Sequence, residues 1–240
     1  MIKLIENNGD LEVFCRSLAV EPFITVDLEF LREKTYYAKL CLIQVGSQHE
    51  CAIIDPLAPE MNLQPFFELM DNPQIVKVFH AGRQDLEIIY FMHHRIPAPL
   101  FDTQVAAQVC GYGESVGYET LVNSLLNLEL DKSFRFTNWE ARPLDKRQLE
   151  YAICDVTHLV PIYLKLQDIL KQTGREGWVK EEIEHLSDPS VYETNPLDVW
   201  QKIKHRSHNA RFLTLLRELA AWRERRAQRN DVNRRSIIQD

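Results

Sequence analysis

The order of β-rich and helical runs over the first hundred residues narrows the fold more than any other feature. "PFITVDLEF", "YYAKLCLIQVG" and "ECAIIDPL" are β-rich, the last stopped by Pro56, and only the polar turn "REKT" separates the first two. Strands that follow one another so closely pair as hairpins. "NLQPFFELMDN" then reads as a short helix, "QIVKVFH" as a strand and "GRQDLEIIYFMHH" as a helix, which requires crossover connections. The succession predicts an α/β fold with a mixed sheet. "LFDTQVAAQVC" extends it as a short strand leading into a helix capped by Asp102 or Thr103.

From Asp145 to about Lys171 the pattern predicts one long helix with Leu149, Ala152, Ile153, Val156 and Val160 on one stripe, kinked at Pro161. "LSDPSVYETNPLD" reads as a linker. Beyond it, "ARFLTLLRELAAWRERRAQR" is amphipathic, with Phe212, Leu215, Leu216, Leu219 and Trp222 on one side. One helix cannot bury that stripe alone, so it either packs on the body or belongs to a domain that continues past Asp240. The expected organisation is a domain over 1–185, a linker over 186–200 and a helical segment over 201–240.

A chain of 240 residues with 45% hydrophobic content can bury a sizeable core without staples. Its five cysteines are odd in number, scattered and free of metal-type spacing. With no signal peptide and no run long enough to span a bilayer, the expectation is a cytoplasmic protein with no membrane partner. The net charge of −7 hides an asymmetry, because residues 201–240 hold 11 Lys/Arg against 4 Asp/Glu. An acidic body with a basic tail points to cations in one part and phosphates in the other; a solvated helix face is the plainer account of the tail.

Side chains alternate along a strand, so "FITVDLEFL" sends Ile24, Val26, Leu28 and Phe30 to a core face and Asp27 and Glu29 side by side to the other. That face is either the solvent side of an edge strand or the wall of a cation site. Asp85 follows a strand and a Gly82 turn into the first turn of a helix, where the helix dipole alone would favour it. Tyr151 and Asp155, four apart on a helix, share a face. Leu159, Ile162 and Leu166 continue much the same column, so that helix is sandwiched and an acid on it needs a partner. Two carboxylates about 4 Å apart repel by about 4 kcal/mol at an effective dielectric near 20. Bringing Asp27, Glu29, Asp85 and Asp155 together would therefore require a divalent cation. Oxygen-only ligands favour Mg²⁺ or Mn²⁺ over zinc, and an all-carboxylate site without a P-loop points to two-metal phosphoryl chemistry.

Three ordered motifs carry a family resemblance: "FITVDLEFLREKTYYAKLCLIQVG", "VFHAGRQDLEIIY" and "QLEYAICDVTHLVPIY", with "YGESVGYETLVNSLLNLELDKSFRFTNWEARPL" before the third. Over residues 20–170 the chain resembles the ribonuclease D family of the DEDD 3′→5′ exonucleases. The resemblance implies an RNase-H-like exonuclease fold with a five-stranded mixed sheet flanked by helices. It also implies two divalent metal ions, Mg²⁺ or Mn²⁺, held by Asp27, Glu29, Asp85 and Asp155, with Tyr151 positioning the attacking water. The histidine sub-class carries His five residues before its last Asp; Glu150 stands there, so the chain resembles the tyrosine sub-class. Leu28 replaces a common Thr. The tail, "VWQKIK" and "LRELAAWRERRAQRNDVNRRSIIQD", resembles the start of the helicase-and-RNase-D C-terminal domain, with Asn233 in place of a usual proline.

The implied activity is release of nucleoside 5′-monophosphates from a single-stranded RNA 3′ end by a monomer, and the family association is with transfer-RNA precursors. Leu28 and Phe30 beside the acids, and Lys132, Trp139 and Arg142 in "DKSFRFTNWEARP", are the expected nucleic-acid contacts; Phe30 as core and the loop as a polar wrap around a buried Trp are their plain alternatives. A DNA 3′→5′ exonuclease and a catalytically idle RNA-binding module are the competing functions. A structural metal-binding domain would leave Tyr151 without a task.

Overall fold

A computed structural model of the chain describes residues 2–130 and 137–239. The chain divides into two compact units, one of residues 1–30 and 40–189, the other of residues 31–39 and 190–240.

The first unit is built on a mixed sheet of six strands. They are β1 (Leu4–Ile5), β2 (Phe23–Leu31), β3 (Lys39–Gly46), β4 (Cys51–Ile54), β5 (Val76–Phe79) and β6 (Leu100–Asp102), in the order β1-β4-β3-β2-β5-β6. β3 and β4 pair antiparallel with Ile43 opposite Ile54, and β2, β5 and β6 run parallel, with Thr25 opposite Val78 and Val78 opposite Phe101. Hairpin first and crossovers after is the order anticipated from the sequence. The sixth strand is β1, two residues long, which adds to β4 in parallel with Leu4 opposite Ile53. So short a segment shows no alternation by which a sequence could announce it.

Local chemistry places the helices. In α1 (Asn8–Leu18) the Asn7 side chain accepts from the Asp10 amide at 3.0 Å, and α2 (Gln64–Asp71) starts with Pro65 in its first turn, where the missing N–H costs nothing. α3 (Arg83–His93) begins at Gly82, where a Cβ would lie 2.5 Å from the Phe79 Cβ, so only glycine fits. The first unit continues with α4 (Thr103–Val109), α5 (Tyr118–Leu126), α6 (Lys146–Thr157), α7 (Leu159–Thr173) and α8 (Glu176–Leu186). The expected single long helix is two, parted at His158. Pro161 has no N–H for the Thr157 carbonyl and its ring would collide with it, so the helix breaks there instead of bending. α6 opens on a capping box between Asp145 and Gln148.

One apolar cluster joins Phe23, Val78 and Phe101 of the sheet to Ala106, Leu121, Ile162, Tyr163, Leu166 and Ile183 of α4, α5, α7 and α8. The helices thus cover the parallel half of the sheet, whose carboxyl ends lead to Asp27, Asp85 and the start of α4.

The second unit carries α9 (Ala210–Asn230) and α10 (Arg234–Ile237). Residues 31–39 and 190–200 also belong to this unit. Glu224, fully buried, accepts from Arg234 at 2.5 and 2.7 Å and from the Tyr36 hydroxyl, while the Asp231 carboxylate accepts from the Tyr36 and Tyr37 amides at 3.0 and 2.9 Å. Burial works to raise the Glu224 pKa, but hydrogen bonds from Arg234 and Tyr36 hold it below its ordinary value. Asn233 donates its backbone N–H to the Lys34 carbonyl at 3.0 Å, a bond no proline could make, and its side chain caps α10. Phe212, Leu215, Leu219 and Trp222 of α9 are exposed.

Candidate active site

Thr25, Asp27 and Glu29 point to one face of β2, while Ile24, Val26 and Leu28 turn into the core at 0, 1 and 4% exposure. α3 brings Asp85 from its first turn, buried at 7% exposure, and α6 brings Tyr151 and Asp155 from successive turns. Asp27, Glu29, Asp85, Tyr151 and Asp155 line one cleft of about 620 Å³, together with His80, Gln84, Tyr118 and Phe30. Among the described residues that line it there is no Lys or Arg.

The oxygens of Asp27, Glu29 and Asp155 lie within 4.8 Å of one another, and Asp85 shares the same wall. Burial pushes the Asp27 carboxyl up to about 7. Burial, reinforced by the Asp27 charge, pushes Asp155 up to about 8. Glu29 is raised to about 10 by burial and then by the charges of Asp27, Asp155 and Asp85. Asp85 stands well above its ordinary value through burial and the nearby charges of Asp27 and Asp102. Four acids that each resist ionisation in the bare site form a donor set of hard oxygens that a divalent cation satisfies. No cysteine or histidine belongs to the group, so its chemistry suits Mg²⁺ or Mn²⁺ rather than zinc. The cluster fits such an ion.

Three residues that the sequence reading missed hold the acids in place. The buried Thr25 hydroxyl lies 3.2 Å from the Gly46 carbonyl and 2.9 Å from that of Val156, tying β2 to α6 between Asp27 and Asp155. The Tyr118 hydroxyl lies 2.8 Å from the Asp155 carbonyl and 3.1 Å from that of Cys154. Asp102 accepts from the Ala81 and Gly82 amides at 3.1 and 2.9 Å, just ahead of α3. The one sequence signal was the expected Asp102 cap; Thr25 sits on the Asp27 face of β2, and nothing local marks Tyr118.

The expected nucleic-acid contacts divide. Leu28 and Phe30 border the cleft, Leu28 with its side chain in the core and Phe30 half-buried. Trp139 and Arg142 do not line it. Trp139 is 2% exposed, its ring 6.1 Å from that of Tyr151, so it backs the tyrosine from inside. Arg142 is engaged by Asp55 at 2.6 and 2.7 Å and by the carbonyls of Cys41, Trp139 and Ala141. A guanidinium satisfied in this way is not available to a phosphate. Lys132 lies outside the described residues.

With this geometry established, comparison with known proteins is informative. A family profile described as 3′-5′ exonuclease matches residues 2–171. The ribonuclease D of Sphingobium indicum is 50% identical over 238 residues and that of Granulibacter bethesdensis 48% over 237, each match covering 99% of this chain. The chain spans 61% and 60% of their lengths. Among solved structures, Escherichia coli RNase D, described as an exoribonuclease involved in structured RNA processing, superposes with a TM-score of 0.89 at 33% identity, over 99% of this chain and 64% of that one. Brucella melitensis NrnC with bound Mg²⁺ shares the fold at a TM-score of 0.67 and 24% identity, over 87% of this chain and 100% of that one. The chain belongs to the 3′-5′ exonuclease family and is similar over nearly its whole length to ribonuclease D.

Proposed function

We propose that the protein is a 3′→5′ exoribonuclease that removes nucleoside 5′-monophosphates one at a time from a single-stranded RNA end. The observation that carries this reading is the convergence of Asp27, Glu29 and Asp155 within 4.8 Å, with Asp85 on the same wall and Tyr151 one helical turn from Asp155. Asp27, Glu29, Asp85 and Asp155 would hold two divalent ions, Mg²⁺ or Mn²⁺. Such ions, when bound, supply charge that activates a water and stabilises the leaving oxygen in an in-line displacement.

The remaining work belongs to the chain itself. The Tyr151 hydroxyl orients the attacking water by hydrogen bonding, its ring held from behind by Trp139. Water adds to phosphorus, the bond from phosphorus to the 3′ oxygen of the preceding nucleotide breaks, and that oxygen leaves with a proton as the new 3′ hydroxyl. Phe30 offers a ring at the cleft for the terminal base, a contact that tolerates any base. The four acids, once ionised, repel a polyanion, so a phosphate approaches them productively only with the metal in place. Transfer-RNA precursors as substrate, a monomeric state and a cytoplasmic location complete the proposal; no helix among the described residues is long and apolar enough to cross a membrane.

The test uses 5′-labelled single-stranded RNA and matching DNA with Mn²⁺, Mg²⁺ or EDTA, beside Asp85→Ala and Tyr151→Phe. A ladder shortening from the 3′ end of RNA, abolished by EDTA and by Asp85→Ala, is expected. Tyr151→Phe should slow turnover about 100-fold with the metal requirement unchanged, in the range that general acid–base and water-positioning groups supply. A ladder on DNA alone would make this a DNA exonuclease, and binding without cleavage would make it an idle module.

A further inference from the structure

The corner that delivers Asp85 is built from a residue pair outside the acidic cluster. Between β5 and α3 the chain turns through Ala81, held in the left-handed region at φ 53°, and Gly82, which starts α3 without any side-chain cap. A non-glycine residue in that region costs about 1–2 kcal/mol, so something must hold it. The Asp102 carboxylate does so, accepting from Ala81 N at 3.1 Å and from Gly82 N at 2.9 Å. The same carboxylate caps α4, accepting from Gln104 N at 2.8 Å and Val105 N at 3.4 Å. Next to it, the Thr103 hydroxyl donates to the Phe79 carbonyl at 3.1 Å and stands 3.0 Å from His80 Nδ1. Asp102 is 4% exposed, so these amides satisfy it in place of water.

We propose that Asp102 is a positioning residue for the metal centre: by pinning the Ala81–Gly82 corner with one carboxylate that also caps α4, it sets the direction in which the first turn of α3 presents Asp85. This rests on the metal-centre reading above. Asp102 touches neither substrate nor metal in this role; it acts through Asp85. The carboxylate is needed because both of its oxygens accept, one shared between Ala81 and the start of α4, the other on Gly82. An amide would turn a donor toward one of these N–H groups. A serine would be long enough to cap α4 but too short to reach the corner.

The two substitutions therefore separate the jobs. Asp102→Asn and Asp102→Ser are compared with the unmodified chain for the Mn²⁺ concentration at which melting temperature rises half-maximally, and for kcat and KM on single-stranded RNA. Both variants are expected to shift the Mn²⁺ midpoint upward at least tenfold and lower kcat at least tenfold, with KM for RNA within twofold. A role confined to stability would lower the melting temperature and leave the Mn²⁺ midpoint in place. Parental Mn²⁺ midpoint and kcat in Asp102→Ser would overturn the proposal. Failure of both variants to fold would also overturn it, by making Asp102 a determinant of the core. An unmodified chain that melts identically with and without Mn²⁺ would instead sink the metal-centre reading, and this role with it.

Discussion

The hydroxyl of Tyr118, the first residue of α5, sits 2.8 Å from the backbone carbonyl of Asp155, near the end of α6. The bond joins α5, which holds none of the four clustered acids, to α6, which holds Asp155 and Tyr151. Both carbonyls it reaches, of Cys154 and Asp155, belong to the last turn of α6, and that of Cys154 also accepts from the His158 amide at 3.1 Å. Tyr118→Phe keeps the ring against His80 and removes only this bond. Loss of about 1 kcal/mol and a several-fold fall in kcat are expected, read by denaturant melts and RNA turnover.

Asp85→Ala or Asp155→Ala is expected to abolish turnover while leaving the metal-free protein as stable as before, or more so. Each carboxylate raises its neighbours' pKa values in the bare site, so deleting one relieves repulsion. Thermal melts in EDTA check this, and a clear drop in melting temperature for both variants would count against a clustered site.

Stability of the metal-free protein should fall as pH rises. The acids have folded pKa values above their unfolded ones, Asp27 near 7 and Asp155 near 8, so between about pH 4 and pH 8 the folded chain binds more protons than the unfolded. The stabilisation is complete below the unfolded values and is lost as pH climbs through the folded ones. Melting in EDTA should therefore occur at lower temperature at about pH 8 than at about pH 5.5. Mn²⁺ competes with those protons and should raise the melting temperature more at the higher pH.

Arg142 and Asp55 form a bidentate pair, the Asp55 side chain 3% exposed and that of Arg142 26%. Asp55→Ala removes two charge-assisted hydrogen bonds and should cost about 2 kcal/mol in a denaturant melt, with KM for RNA unchanged. A raised KM at parental stability would return Arg142 to the substrate channel.

Legibility in the sequence followed distance along the chain. Asp27 and Glu29 could be placed on one face from strand alternation alone, and Tyr151 and Asp155 from helical spacing, because both patterns are local. Convergence of the four acids is not local and came through the family resemblance. The Thr25–Val156 bond spans 131 residues and the Arg142–Asp55 pair 87, so no window of sequence contains either. From its own stretch of sequence Arg142 therefore reads as a nucleic-acid contact instead. Pro161 announced a disturbance in the long helix, but its break at His158 follows from the carbonyl four residues earlier. The union of residues 31–39 with the tail rests on Tyr36, Glu224 and Arg234, which nothing in "REKTYY" foretells.

The central claim is that Asp27, Glu29, Asp85 and Asp155 form one metal centre, and calorimetric titration of the metal-free chain with Mn²⁺ tests it most directly. The account predicts saturable binding of two ions per chain, with proton release that grows toward acid pH, and loss of at least one ion in Asp27→Ala. Absence of saturable binding in the unmodified chain, or an identical isotherm for Asp27→Ala, would contradict it.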